Sequence, residues 1–367
     1  MPAAPSPAEI AADREGDEPP VDAEEARALG RVRRRAGFGH ALGVWVGRQM
    51  LRLPWLTKFS LTRRRERGLL MDAGAQYGTA VGADGVPIAY AYLPPDPKIE
   101  RRDGVVFLHG WMETKEFHAD TARLLASRGH PVLLADLRHH GGSGGPFVTF
   151  GVKERHDVET LIDLGLASGW FTPPVVTMGF STGAVSVLAH LAVDRERPRR
   201  RVGACCALAP MVSLRRGVKW FRGMAAPRVA ERWLMLGVAE AVRRAGMTFD
   251  QTELRDVVRA EDRPILFAAG EHGSRFTLGD QVRDLVKVKT DGWTDLHTVP
   301  GVTHFAVGTH AWPDILPPWE RMLAEMHAHS GEAGIWEPSP VDPTSEVQRV
   351  RVDFDPPPGR PAQQAQG

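Results

Sequence analysis

The sequence predicts an α/β fold: a mostly parallel sheet of about eight strands, flanked by helices and carrying a helical insertion. Three observations lead there. Short apolar runs such as Val105-Val106-Phe107-Leu108 and Val132-Leu133-Leu134-Ala135 recur along the chain, and strands buried on both faces read as continuous rather than alternating. Longer stretches with helical spacing separate them, the rhythm of a parallel sheet covered on both sides. One interval, 211–262, breaks that rhythm with helical patterns and no convincing strand. At 367 residues, with 43% hydrophobic and 25% charged residues, the chain is ordinary globular material. That composition excludes a wholly disordered chain, a collagen and a coiled coil.

The elements follow in order. Residues 1–30 are rich in Pro, Ala and acids and read as a disordered tail. Residues 31–70 form a basic amphipathic helical segment: helical spacing runs over Ala36–Leu53 with Phe38, Leu42, Trp45, Val46, Gln49 and Leu53 on one face, and Pro54 ends it. A hairpin comes next, Gln76–Val81 and Val86–Leu93 around Asp84-Gly85. Strands are then expected at Gly104–Leu108, Pro131–Ala135, Val175–Met178, Val202–Leu208, Ile265–Ala269 and Leu296–Val299. The helices between them are expected at Lys115–Arg128, Lys153–Leu166, Thr182–Val193 and Gln281–Val288, with a last one from His304 onward. The main domain spans 71–330, with a lid at about 211–262. Residues 331–367 form a Pro-rich, mostly disordered tail in which Val347–Val352 has the pattern of a short strand.

Net charge is only +1, but this is a cancellation. Residues 1–30 hold eight acids and two bases, and residues 31–67 hold eleven bases and one acid, Glu66. The remainder is mildly acidic, so bulk charge does not indicate nucleic-acid binding. Cys205 and Cys206 are adjacent, which indicates no disulfide framework. No Cys or His cluster has metal-ligand spacing, and neither metal nor cofactor is expected. No apolar run reaches the length of a membrane span. A reducing cytoplasmic location is the expectation.

The strongest chemical signal is Gly179-Phe180-Ser181-Thr182-Gly183, a GxSxG motif. The motif alone is weak, because Gly141-Gly142-Ser143-Gly144-Gly145 matches it too. Context separates the two: Ser181 lies between a strand and a helix, whereas Ser143 sits in a glycine loop. A sharp strand-to-helix turn needs small residues two before and two after the serine, and the helix N-terminus favours developing negative charge. Ser181 is therefore the candidate nucleophile. Serine needs a base, and His304, in the loop after the last strand, has the right position among fourteen histidines. His297 reads as structural, while His139 and His140 are placed to line the cleft. An acid should fix the tautomer of the base. Glu271, after Ile265–Ala269, is the first candidate and Asp280 the second. Backbone amides must hold an oxyanion. Thr182 supplies one, and the loop His109-Gly110-Trp111-Met112 supplies the other through Trp111, with Met112 as the alternative.

With this order of motifs, residues 75–329 resemble an α/β-hydrolase-fold serine hydrolase. Asp136-Leu137-Arg138-His139-His140-Gly141-Gly142-Ser143 resembles the D-x-R-G-H-G-x-S loop of bacterial members. Thr149, Gly151, Glu154 and Asp157 resemble a stretch of the lysophospholipase-like or serine-aminopeptidase-like subgroup. In two places the chain departs from that pattern. His139 stands where glycine is usual, and Gly273 stands where the resemblance places the triad aspartate. Three readings stay open at that point: Glu271 substitutes, a Ser181–His304 dyad works alone, or catalysis is weakened.

The resemblance implies hydrolysis of carboxylic esters or thioesters through an acyl-enzyme, on a small-molecule or lipid-like substrate. The alternatives are amide-bond hydrolysis and a binding or scaffold protein with degraded catalysis. For residues 31–67 the two leading readings are peripheral contact with an anionic membrane, which would make the location membrane-associated on the cytoplasmic face, and packing on the body or the lid. Arg48 and Arg52 interrupt the apolar stretch and argue against a secretion signal.

Overall fold

The computed structural model describes residues 40–59, 62–218, 231–272 and 279–333. Both tails, the arginines at 31–35, Phe38, Trp220, Phe221, Met224, the loop at Gly273 and the side chain of Asp280 lie outside the described residues. The strands are β1 Gln76–Val81, β2 Pro87–Leu93, β3 Val105–Leu108, β4 Val132–Ala135, β5 Val175–Phe180, β6 Val202–Leu208, β7 Ile265–His272 and β8 Thr294–Thr303. They form one eight-stranded sheet in the order β1-β2-β4-β3-β5-β6-β7-β8. β1 and β2 make an antiparallel hairpin, β2 runs antiparallel to β4, and all remaining pairs are parallel. Every residue of β3 to β6 is buried, which is why these strands read as unbroken apolar runs. β8, at the sheet edge, is mostly exposed or half-buried. Its polar residues mask its length in the sequence, where only Leu296–Val299 stands out.

The principal helices are α1 (40–52), α2 Thr62–Asp72, α3 Ala119–Ala126, α4 Glu154–Ala167, α5 Thr182–Arg195, α6 Glu231–Arg244, α7 Arg255–Arg259, α8 Gly279–Val288, α9 His304–Val307 and α10 Trp312–Ala333. The stretch expected as one helix over Lys115–Arg128 is a 3₁₀ turn, Lys115–His118, followed by α3. The segment from His304 divides likewise into α9 and α10. A core lies on each face of the sheet. Successive residues of a strand point to opposite faces, so Cys205 joins one core and Cys206 the other, both as free thiols.

The β6–β7 connection holds α6 and α7, and α1 packs on α6. A side chain at Gly43 would collide with the Leu234 carbonyl, one at Gly47 with Ala241, and one at Gly237 with the His40 and Gly43 backbone. Small residues thus bring the two helix backbones into direct contact. Val46, Met50 and Leu51 bury their side chains in the same core as Leu234 and Val238, each contributing roughly 1.5–3 kcal/mol of gross hydrophobic stabilisation. Trp45, which shares the helical spacing of Val46, points outward and is 58% exposed.

Candidate active site

In this sheet β3 lies between β4 and β5, so the chain leaves β3 in one direction and returns to add β5 on the other side. Such a reversal opens a crevice at the carboxyl ends of the strands, where open α/β sheets bind ligands. Backbone strain gathers at the same edge. Met112, His139, Ser181 and Ala209 follow β3, β4, β5 and β6 respectively, and each has positive φ without being glycine. L-residues adopt that conformation at a cost of about 1–3 kcal/mol, and it persists where the surroundings over-determine it.

The Ser181 turn shows how. Ser181 has φ +52° and ψ −110° between β5 and α5. A side chain at Gly179 would run into the Gly183 backbone, and one at Gly183 into the Leu108 and His109 carbonyls. The two glycines therefore let β5, α5 and the end of β3 close on one another. The Ser181 amide donates to the Leu208 carbonyl at 2.8 Å, which pins the turn to β6. Facing it, Nε2 of His304 lies 3.2 Å from Ser181 Oγ. His304 opens the one-turn helix α9 directly after β8, is 4% exposed, and has its ring 5.0 Å from that of Phe180. Burial pulls its pKa down to about 4, against an opposing pull from Glu113. The imidazole is thus neutral at pH 7 and able to accept a proton.

The loop after β3 is held at both ends. Leu137 N–H donates to His109 Nε2 at 3.0 Å, so the proton of that ring sits on Nδ1 and is donated to the Gly110 carbonyl at 2.7 Å. His109 is neutral accordingly, its pKa lowered chiefly by burial. At the other end Glu113 Oε2 accepts from Gly110 N–H at 2.8 Å and lies 3.0 Å from His118 Nε2. His118 Nδ1 in turn lies 3.2 Å from the Gly308 carbonyl, at the C-terminus of α9. Glu113 thereby links the β3 loop to the helix that carries His304. Its carboxyl stays below the usual range although burial opposes ionisation, because His118 and His109 favour the charged form. Between these anchors neither the Trp111 amide nor the Thr182 amide donates to a protein acceptor among the described residues. Thr182 is the first residue of α5, where a helix has no acceptor for its own N–H.

Glu271 lies at the end of β7. Its exposed carboxylate accepts from Gly301 N–H at 2.9 Å, closing the end of β7 on β8. The contact is with the neighbouring strand. β7 continues through His272, so Glu271 belongs to the strand and reaches sideways to its neighbour.

The motif-like loop after β4 is a clamp. Asp136 is fully buried and accepts from Lys115 N–H at 2.8 Å, Lys115 Nζ at 2.7 Å and Gly142 N–H at 2.7 Å. Burial opposes its ionisation, but these donors, Lys115 foremost, outweigh it and bring its pKa to about 2. Ser143 Oγ donates to the Asp136 carbonyl and accepts from Ala89 N–H, a wholly internal role that separates it from Ser181. His140 donates from Nδ1 to the Arg138 carbonyl at 3.0 Å and receives Met112 N–H on Nε2 at 3.4 Å. His139 is engaged by the Gly145 and Arg52 carbonyls. Glu154 accepts from the Thr149 amide and hydroxyl and from the Gly151 amide. Arg138 spans Asp157 and Asp84. Sequence reasoning missed Glu113 and His118. The available signal was an acid three residues after Gly110, on a loop already assigned to oxyanion binding.

Residues 105–352 match the model of the alpha/beta hydrolase family. No curated protein matches the sequence. Among solved structures the chain is similar to Est1E from Butyrivibrio proteoclasticus, determined with ferulic acid bound, at 21% identity, covering 69% of this chain and 100% of that one with TM-score 0.52. It is also similar to DcsB in complex with its substrate analogue, at 16% identity, 69% and 99% coverage and TM-score 0.52. The alpha/beta hydrolase GrgF from Penicillium sp. sh18 follows at 16% identity, 70% and 99% coverage and TM-score 0.50. At these identities the likeness speaks for the fold. The family match over most of the chain and the sheet order described above lead to one conclusion: this chain belongs to the alpha/beta hydrolase family.

Proposed function

We propose that the protein is a serine hydrolase of carboxylic esters or thioesters that works through an acyl-enzyme. The observation that carries this reading is Ser181, held in a strained turn with its hydroxyl 3.2 Å from Nε2 of a buried, neutral His304. Ser181 Oγ attacks the carbonyl carbon while His304 takes its proton. The tetrahedral oxyanion accepts from the Trp111 and Thr182 amides. Collapse breaks the bond to the alcohol or thiol, which leaves with the proton from His304. Water then attacks the acyl-enzyme by the same route in reverse, and Ser181 is regenerated.

The acid role falls to Glu113 in this reading, by position and not by contact. Its charge raises the proton affinity of His304, stabilising the imidazolium that forms during attack. Its hydrogen bond to Gly110 fixes the loop that presents Trp111. The 211–262 insertion leaves from the carboxyl end of β6, the same sheet edge as Ser181, and serves as a lid over the acyl group. A lipid-like acyl group is the substrate class this reading favours, on the strength of the lysophospholipase-like resemblance. The test is labelling of the full chain with a fluorophosphonate probe, together with turnover of p-nitrophenyl esters of increasing acyl length. Labelling abolished by Ser181→Ala is expected. A folded wild type that neither labels nor turns over any ester would instead support a binding protein on a hydrolase scaffold.

A further inference from the structure

The N-terminal segment has two faces, one packed on the fold and one exposed among the described residues. Its inner face is fixed to the rim of the site. Trp111 Nε1 donates to the Met50 carbonyl at 3.1 Å, Val148 N–H to the Leu51 carbonyl at 3.2 Å, and Gly141 N–H to Thr57 Oγ1 at 2.9 Å. Those three donors come from the loops after β3 and β4, at the same carboxyl edge of the sheet as Ser181. The outer face is apolar and exposed among the described residues. Trp45, Trp55, Leu56 and Phe59 are 58%, 45%, 44% and 70% exposed, and they make up most of the large exposed hydrophobics among the described residues. Trp55 and Phe59 stack edge to face with ring centroids 5.4 Å apart. Arg48, Arg52 and Lys58 are exposed on the same stretch.

The charge pattern selects the occupant. Residues 26–65 contain no Asp or Glu and eleven Arg or Lys, whereas the body beyond residue 67 is mildly acidic. A protein partner with a mixed surface does not require a window so free of acids. A surface of uniform negative charge over an apolar interior does, because exposed aromatics enter the acyl boundary while bases meet the headgroups. Among the described residues no helix is long and apolar enough to cross a membrane, so contact through this face is peripheral. We infer that Trp45, Trp55, Leu56 and Phe59, with Arg48, Arg52 and Lys58, form a seat that docks the protein on an anionic lipid bilayer with the rim of the Ser181 site facing it.

The proposal does not depend on the catalytic reading. Its test is flotation of the full chain with vesicles of phosphatidylcholine containing phosphatidylglycerol, and with phosphatidylcholine alone. Flotation with the anionic vesicles only is expected, and weakening of it by about 0.5 M salt. Trp55→Ser with Phe59→Ser should lower the bound fraction at least about tenfold. Arg48→Glu with Lys58→Glu should do the same, since each base near such a surface is worth about a factor of five. These side chains are exposed, so unchanged melting and circular dichroism are expected and separate loss of binding from loss of fold. Absence of flotation by the wild type overturns the proposal. So does flotation that survives both double substitutions, which would place lipid contact in the arginines at 31–35. A shift from dimer to monomer on Trp55→Ser with Phe59→Ser, without vesicle binding by the wild type, would make the seat a self-association surface instead.

Discussion

The two halves of the candidate site are built by different means. The Ser181 half is fixed by backbone: two glycines without room for a side chain, a strained φ, and an amide bonded to β6. The His304 half is fixed by side chains reaching across the crevice, through Glu113, His118 and the Gly308 carbonyl. A backbone device tolerates almost no substitution. A side-chain device can be rebuilt from another position, and in the proposed mechanism Glu113 does so in a chain with Gly273 in place of the expected acid.

The sharpest way to break this comparison is at the nucleophile. Ser181→Ala should lower kcat by at least about 10⁴-fold on any ester substrate while leaving folding intact. Turnover that persists would remove the serine half from the chemistry. Next comes the backbone itself. Gly183→Val drives a branched side chain into the Leu108 and His109 carbonyls. It should cost about 1–3 kcal/mol or more in stability and abolish probe labelling even where soluble protein is recovered. A well-folded, reactive Gly183→Val variant would show that the turn is not over-determined.

The same contrast explains what is legible in the sequence. Backbone devices leave a local signature, so Gly179-x-Ser181-x-Gly183, the hairpin at Asp84-Gly85 and the buried strands β3 to β6 can all be read with little error. His304 is legible from its place after the last strand. Side-chain devices assembled from distant positions leave no local signature. Glu113 looks like any loop acid until β3, His118 and α9 are brought together. Glu271 reads as a loop residue because the apolar run of β7 stops at Ala269, three residues before the strand itself ends. Helical spacing alone does not say which side of α1 packs, so the sequence leaves its apolar face open to packing or lipid, and the glycines at 43 and 47 decide it.

Glu113→Gln probes the side-chain half. Glutamine still accepts from Gly110 N–H, so the loop should keep its shape and KM its value. A fall in kcat of about 10–100-fold is expected as the imidazolium loses a stabilising charge. The pH profile gives a readout that a merely structural role would not move. His304, with its pKa held at about 4 by burial, keeps kcat/KM on a plateau down to about pH 5. Removing the Glu113 charge, which raises that pKa, should move the acid limb lower still.

Stability has its own pH dependence. His304 and His140 are buried, and burial is the leading cause that lowers their pKa values to about 4 and about 3. Their unfolded value is near 6.5, so between about pH 6.5 and those folded values the unfolded chain binds more protons. Their contribution is therefore complete above about pH 6.5 and is lost as pH falls, by up to about 1.4 kcal/mol per pH unit for each ring. Asp136 adds a further loss between its unfolded value of 3.8 and its folded value of about 2. Rates at acid pH are best taken as initial rates after a brief pH jump. Melting temperature measured from about pH 7 down to about pH 4 should fall steadily toward acid. A melting temperature flat over that range would mean these imidazoles are not held neutral by burial.

The smallest effect is expected at Glu271, and it sharpens the comparison most. In the structure its carboxylate caps the exposed Gly301 amide across the β7–β8 edge. Glutamine can accept the same hydrogen bond through its amide oxygen, so Glu271→Gln should change stability by no more than about 1 kcal/mol and kcat by less than about threefold. The contrast with Glu113→Gln is the measurement. Both variants remove one negative charge from the carboxyl end of the sheet, but only Glu113 is buried in the chain of contacts that ends at α9. Suppose kcat instead fell by about 10³-fold in Glu271→Gln while Glu113→Gln stayed near wild type. The end of β7 would then have to release Glu271 toward His304 during turnover. The acid would come from the strand end after all, and the His304 half would be a conventional triad with a mobile third member.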